Sequence, residues 1–173
     1  MADSLADSVT AVVLIGAPGA GKTRTGKRVA RLLGVPFVDT DRRIVAEHGP
    51  IVDIFANFGE PEFRRIERAE VARALCEAAV VTLGGGAVLD PETQTELAAH
   101  RVVQLTVSAE AVHARITSGK RPLLKDGIGA WQSLVESRQP VYDRLSNLRI
   151  DTSHRPLDQV ATEIVAWLQE DTT

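Results

Sequence analysis

The sequence is poor in cysteine, in aromatic residues and in long apolar runs. Its one cysteine, Cys76, cannot form an internal disulfide, and without an export signal the expected compartment is the reducing cytoplasm. The alanine-rich helical sequence around Cys76 predicts a small buried hydrophobe rather than a reactive thiol. Aromatics make up 4% of the chain and the net charge is −3. That combination excludes the basic, aromatic-studded surface that nucleic acid needs, so no such partner is expected. Apolar stretches reach only about five to eight residues, against the roughly 18 to 20 that cross a bilayer, which excludes a membrane partner. The four histidines, His48, His100, His113 and His154, lack metal-ligand spacing.

What is present suits one soluble domain. The 173 residues are 44% hydrophobic and 25% charged, enough to bury a single sizeable core. Residues 1–10 carry two aspartates and no basic and apolar leader. They are expected to form a flexible tail before a domain spanning residues 11–173.

"AVVLI" (11–15) is a short, continuous, branched apolar run, as a strand buried on both faces is, and "VPFVD" (35–39), "AVVTL" (79–83), "RVVQLTV" (101–107) and "NLRID" (147–151) read as the four further strands. Helical patterns separate them, at about 21–33, 41–48, 50–57 and 61–78 in the first half. Gly34 and Pro36 end the first of these, and Pro61 with Glu62 opens the last. The alternation predicts an α/β fold with a parallel sheet covered on both faces. One stretch departs from it: "TSGKRPLLKDGIGA" (117–130) is basic, glycine-rich and long for a connection, as active-site lids are.

"GAPGAGKT" (16–23) fits the G-x-x-x-x-G-K-[ST] pattern between a strand and a helix start. Glycines at 16, 19 and 21 let the backbone N–H groups of Gly19, Ala20 and Gly21 turn inward as an anion nest, reinforced by the helix dipole. Lys22 would reach the β- and γ-phosphates of a nucleoside triphosphate, and the Thr23 hydroxyl would take a place on Mg²⁺. The bland reading is a glycine turn with an incidental lysine. The cradle alone does not name the acceptor, because switches, motors and kinases share it.

The acceptor side rests on three further stretches. "VDTD" (38–41) ends the second strand, and if strand geometry persists Asp39 and Asp41 face one way at the carboxyl edge of the sheet. One carboxylate could then hold hydrated Mg²⁺ near Thr23 while the other takes an alcohol proton. The competing reading has Asp39 ending the strand and Asp41 capping the next helix. "TLGGGAV" (82–88) ends the third strand in three glycines, Gly84 to Gly86, with no aspartate. The glycines suggest close approach of backbone to a ligand, with a mere flexible turn as the alternative, and the missing aspartate makes Asp39 the better candidate for the acidic partner of the metal. In "EFRRIE" (62–67) Arg64 and Glu67 share a helix face, by itself a solvated ion pair. "ESRQPVY" (136–142) supplies Arg138, and two arginines converging on one pocket would suit a carboxylate.

With these parts in order the chain resembles the shikimate kinases over about residues 11–168. The resemblance rests on "GAPGAGKT", "DTD", "FRRIE", "LGGGAV", "RPLL" and "SRQPVY" together. It implies a P-loop kinase fold with a five-stranded parallel sheet in the order 2-3-1-4-5, substrate-binding helices at about 41–78 and a lid at about 117–130. It also implies ATP-dependent phosphorylation of the shikimate 3-hydroxyl, in aromatic amino acid biosynthesis, by a monomer. The implied catalytic residues are Lys22, Asp41 and Arg121. Gly19, Ala20, Gly21, Lys22, Thr23 and Arg121 would bind ATP, with Arg115 against the adenine and Arg155 nearby. Asp41, Arg64, Gly84, Gly85, Gly86 and Arg138 would bind shikimate, with Glu67 as a positioning neighbour. Mg²⁺ would be held by Thr23 and, through water, by Asp39. Arg42 and Arg43 are expected on a solvated face. Two other readings stand beside this one: a gluconate kinase of the same fold, and a nucleotide-binding regulatory module without chemistry.

Overall fold

The computed structural model describes residues 10–117 and 127–170, with the side chains of 116 and 117 left aside. Five strands form one parallel sheet: β1 (Val12–Gly16), β2 (Phe37–Asp39), β3 (Val80–Thr82), β4 (Val102–Thr106) and β5 (Leu148–Asp151). Their order is β2-β3-β1-β4-β5, as the resemblance implied. β1 pairs with β3 through Val12↔Val80 and with β4 through Val13↔Val102. After β3 the chain therefore crosses β1 to start the other half of the sheet, and ligands of such sheets bind at the carboxyl ends of the strands near that crossing.

The helices are α1 (Lys22–Leu33), α2 (Thr40–His48), α3 (Ile51–Phe58), α4 (Glu60–Leu75), α5 (Pro91–Leu97), α6 (Ala109–Thr117), α7 (Gly127–Leu145) and α8 (Leu157–Glu170). A 3₁₀ turn at Ala87–Leu89 follows the glycine triplet. Alternate residues of β1 feed two cores, because successive side chains of a strand point to opposite faces. Val13 and Ile15 join Val71 and Ala74 of α4, Leu97 of α5 and Tyr142 of α7. Val12 and Leu14 join Val29 of α1 and Val160 and Ile164 of α8. A smaller cluster of Ala17, Val112 and Trp131 lies beside the P-loop.

Several expectations change. The second strand begins at Phe37 rather than at 35, and α4 stops at Leu75 rather than at 78. Cys76 is exposed, not buried: the inward face of α4 runs through Phe63, Ile66, Glu67, Glu70, Val71 and Ala74, and Cys76 falls off that stripe. Thr10, assigned to the tail, is 1% exposed. Its hydroxyl donates to the carbonyls of Leu75 (2.7 Å) and Glu77 (3.1 Å), which closes the end of α4. Arg42 is exposed, whereas Arg43 forks onto both Glu77 oxygens and reaches Glu70 at 3.5 Å, tying α2 to the far end of α4. Among the described residues no helix is long and apolar enough to cross a membrane.

Candidate active site

β1 ends in Gly16, where φ is +139° and a Cβ would lie 2.2 Å from the Leu105 carbonyl oxygen. Only glycine fits so close to a neighbouring strand. Gly19 and Gly21 also have positive φ, and Gly21 sits at the N-cap of α1. The Ala20 N–H closes the turn on the Ala17 carbonyl (3.1 Å). Lys22 folds over the loop and donates to the carbonyls of Gly16 (2.7 Å) and Ala17 (3.0 Å). Burial lowers its pKa from 10.5 to about 8, against the pull of the Asp41 and Asp39 carboxylates; the Arg138 charge adds to the lowering. Arg115 on α6 donates to the carbonyls of Gly19 (2.7 Å) and Thr152 (2.5 Å), tying the P-loop to the segment after β5. Arg155 instead pairs with Glu163 of α8.

The two aspartates part company because the helix starts between them. Strand geometry ends at Asp39 and α2 begins at Thr40, so the two-residue alternation does not extend to Asp41. Asp39 does two tasks with two oxygens: one accepts the Arg42 N–H as the N-cap of α2 (3.1 Å), the other accepts the Thr23 hydroxyl (2.8 Å). The cap is Asp39, not Asp41. Asp41, in the first turn of α2, is left to face the glycine triplet.

The triplet explains itself sterically. None of Gly84, Gly85 and Gly86 has positive φ, so backbone freedom does not demand glycine. A Cβ on Gly84 would lie 2.6 Å from an Asp41 oxygen, one on Gly85 3.1 Å from Nη1 of Arg138, and one on Gly86 2.7 Å from Nη1 of Arg64. Each missing side chain makes room for one charged group. Arg64 is held by Glu67, buried on the same helix, through a 2.7 Å bond. That pair is therefore no solvated surface contact.

The electrostatics follow from crowding. Burial first, then the Asp39 charge, raises the Asp41 pKa above its ordinary value, while Lys22 and Arg64 oppose the rise. Burial likewise raises Glu67 despite Arg64. Lys22, Asp41, Arg64, Gly84 to Gly86 and Arg138 thus lie around one site, with Thr23 and Asp39 adjoining it. Arg121 and most of the expected lid lie outside the described residues. Reading the sequence missed Tyr142, whose hydroxyl donates to the Gly85 carbonyl (2.6 Å), and Trp131, whose indole N–H donates to the Pro18 carbonyl (2.8 Å). The only available signal was their helical spacing from Arg138 on α7.

Comparisons with known proteins identify the family. The family model for shikimate kinase matches residues 18–169. A shikimate kinase from Mycobacterium avium is 45% identical over 161 residues, covering 90% of this chain and 92% of the relative. The shikimate kinase of Corynebacterium efficiens is 41% identical over 164 residues, covering 92% and 97%. The solved shikimate kinase of Acinetobacter baumannii, in complex with shikimate, is 30% identical with a TM-score of 0.85, covering 92% of this chain and 93% of that one. The chain belongs to the shikimate kinase family.

Proposed function

We infer that the protein moves the γ-phosphoryl group of ATP to the 3-hydroxyl of shikimate through the residues gathered at the glycine triplet. The observation that carries the residue roles is the meeting of one carboxylate and two guanidinium groups at three successive glycines, beside the P-loop lysine. A hydroxylated carboxylic acid is complementary to that set. Arg64 and Arg138 would clamp its carboxylate, since a guanidinium fork matches two carboxylate oxygens. Asp41 would accept a hydrogen bond from the reacting hydroxyl.

In the transfer, the acceptor oxygen forms a bond to the γ-phosphorus while the bond to the β,γ-bridging oxygen breaks and ADP leaves. The hydroxyl proton passes to Asp41. An ordinary aspartate, with a pKa of about 3.9, is a weak base, and the raised pKa of Asp41 improves it. Holding the hydroxyl in line is its larger contribution if the transition state is loose, because proton uptake then comes late. Lys22 would offset charge on the transferring group. The same role is assigned to Arg121 from "KRPLL" alone.

Thr23 and Asp39 place a hydroxyl and a carboxylate 2.8 Å apart at the start of α1. These are hard oxygen donors of the kind Mg²⁺ takes, since it keeps several waters and uses one or two protein oxygens beside substrate phosphates. Thr23 would hold it directly and Asp39 through water. When bound, Mg²⁺ offsets charge on the β- and γ-phosphates.

A panel of hydroxy acids tested by ADP release, with shikimate and gluconate at equal concentration, separates this reading from a gluconate kinase. Shikimate should be the strongly preferred acceptor. Preference for gluconate would overturn the acceptor assignment, and tight ATP binding without turnover of any acceptor would favour the regulatory module.

A further inference from the structure

Two polar atoms of α7 reach the backbone of the two loops that build the site. Trp131, 5% exposed, donates its indole N–H to the Pro18 carbonyl in the P-loop. Tyr142, 1% exposed, donates its hydroxyl to the Gly85 carbonyl in the glycine triplet. Arg138 lies between them in sequence, roughly two turns from Trp131 and one turn from Tyr142, on a shared face of the helix. The two loops also meet each other, since a Cβ on Gly85 would lie 3.5 Å from Cδ of Pro18.

A phenylalanine at Tyr142 would fill much the same apolar space, so packing does not account for its hydroxyl; at Trp131 the larger indole also packs on Ala17 and Val112, and its N–H is the one polar atom it brings to the P-loop. No other hydrogen bond reaches the Pro18 or Gly85 carbonyl among the described residues. A planar trans peptide fixes the direction of its N–H once its carbonyl is held. The peptide after Pro18 carries the N–H of Gly19, and the peptide after Gly85 carries the N–H of Gly86. Both following residues are glycines, whose backbone rotates with least restraint. Each bond therefore acts where a peptide would otherwise turn most freely.

We propose that Trp131 and Tyr142 are positioning residues: each pins one peptide plane, Trp131 aiming the Gly19 N–H in the nucleotide cradle and Tyr142 aiming the Gly86 N–H in the acceptor loop. Neither touches substrate. α7 thereby registers the two cradles against each other, with Arg138 carried on the same bar. This rests on the assignment of the P-loop to ATP and of the glycine triplet to shikimate.

The test is substrate-resolved kinetics of Trp131→Phe and Tyr142→Phe, with thermal unfolding measured alongside. Trp131→Phe should raise the KM for ATP about tenfold, which corresponds to about 1.4 kcal/mol, a size within reach of one lost buried hydrogen bond. Its KM for shikimate should stay within about twofold. Tyr142→Phe should show the mirror pattern, carried both by the Gly86 N–H and by the Arg138 guanidinium that the Tyr142 hydroxyl also faces. A purely structural role would instead change both constants together in step with the unfolding temperature, and that result overturns the proposal, as does no change in either constant.

A second arm needs neither turnover nor a folded Tyr142 variant. Trp167→Phe leaves Trp131 as the sole tryptophan, and its emission should shift on adding MgADP but not on adding shikimate alone. An emission blind to MgADP contradicts the assignment of Trp131. If the unaltered protein fails to phosphorylate shikimate, the acceptor assignment falls, while the emission arm still decides whether Trp131 reports on the nucleotide cradle.

Discussion

Alanine at Gly84 should disable the chemistry while leaving the fold intact. A Cβ there would lie 2.6 Å from one Asp41 oxygen and 2.9 Å from the other, where ordinary contact begins near 3.4 Å. The carboxylate must retreat by about 0.8 Å, the difference between 2.6 and 3.4 Å. The φ of Gly84 is one that alanine adopts, and the obstructing atoms are the tip of a side chain. The backbone therefore accepts the change, and its effect falls on geometry. A displacement of about 1 Å at a reacting group lowers turnover by about a hundredfold. Gly84→Ala should lose kcat on that order while its unfolding midpoint stays within about 4 °C, the shift expected from about 1 kcal/mol. Gly86→Ala presses on the Arg64 guanidinium at 2.7 Å and should appear mainly as a raised KM for shikimate. Gly85→Ala meets Arg138 at 3.1 Å, needs a shift of only a few tenths of an ångström, and should be the mildest. The assay is ADP release at saturating MgATP with shikimate varied, run beside a thermal melt. Wild-type kcat in Gly84→Ala would refute the reasoning, because the position of Asp41 would then not matter.

Three further outcomes follow from the same geometry. With Lys22 at about 8, the ammonium that phosphates need is present below that pH and lost above it. kcat/KM for ATP, which reports the free enzyme, should fall about tenfold per unit above that point, and a flat profile to about pH 10 contradicts the assignment. Asp39→Asn keeps a competent N-cap for α2 but removes the charge beside Thr23. It should raise the Mg²⁺ needed for half-maximal activity by about tenfold or more, with little loss of stability; an unchanged Mg²⁺ titration argues against the metal role. Glu67→Gln removes the buried charge that holds Arg64 and should raise the KM for shikimate about tenfold or more with the KM for ATP unchanged, measured by the same ADP assay.

The parts legible in the sequence were those with local causes. Branched apolar runs marked β1 and β3, which are buried on both faces and carry no polar alternation to disguise them, whereas "NLRID" stood out by its place in the alternation, because β5 at the sheet edge fully buries only Ile150. The P-loop was legible because Gly16, Gly19 and Gly21 occupy positive φ. The pair Asp39 and Asp41 was half legible: the residues were apparent, but their division of labour turned on the helix starting at Thr40. The triplet was read as a close approach of backbone to a ligand, and the structure sets the side chains of Asp41, Arg138 and Arg64 against it. Cys76 misled because its fate turned on where the inward stripe of α4 stops. Arg43, like Tyr142 and Trp131, acts through long-range contacts. The Tyr142 and Trp131 bonds span 57 and 113 residues of sequence, and such contacts leave no periodic trace to read.

The central claim is that Asp41, standing over the glycine triplet, serves phosphoryl transfer to shikimate. The most direct measurement is phosphorus NMR of a mixture of protein, MgATP and shikimate, run with the unaltered chain and with Asp41→Asn. The unaltered chain should form one shikimate 3-phosphate for each ADP, and Asp41→Asn should do so at least about a hundredfold more slowly, the range that loss of a positioned proton acceptor costs. ADP formed without a phosphorylated shikimate, or equal rates from the two proteins, would contradict it.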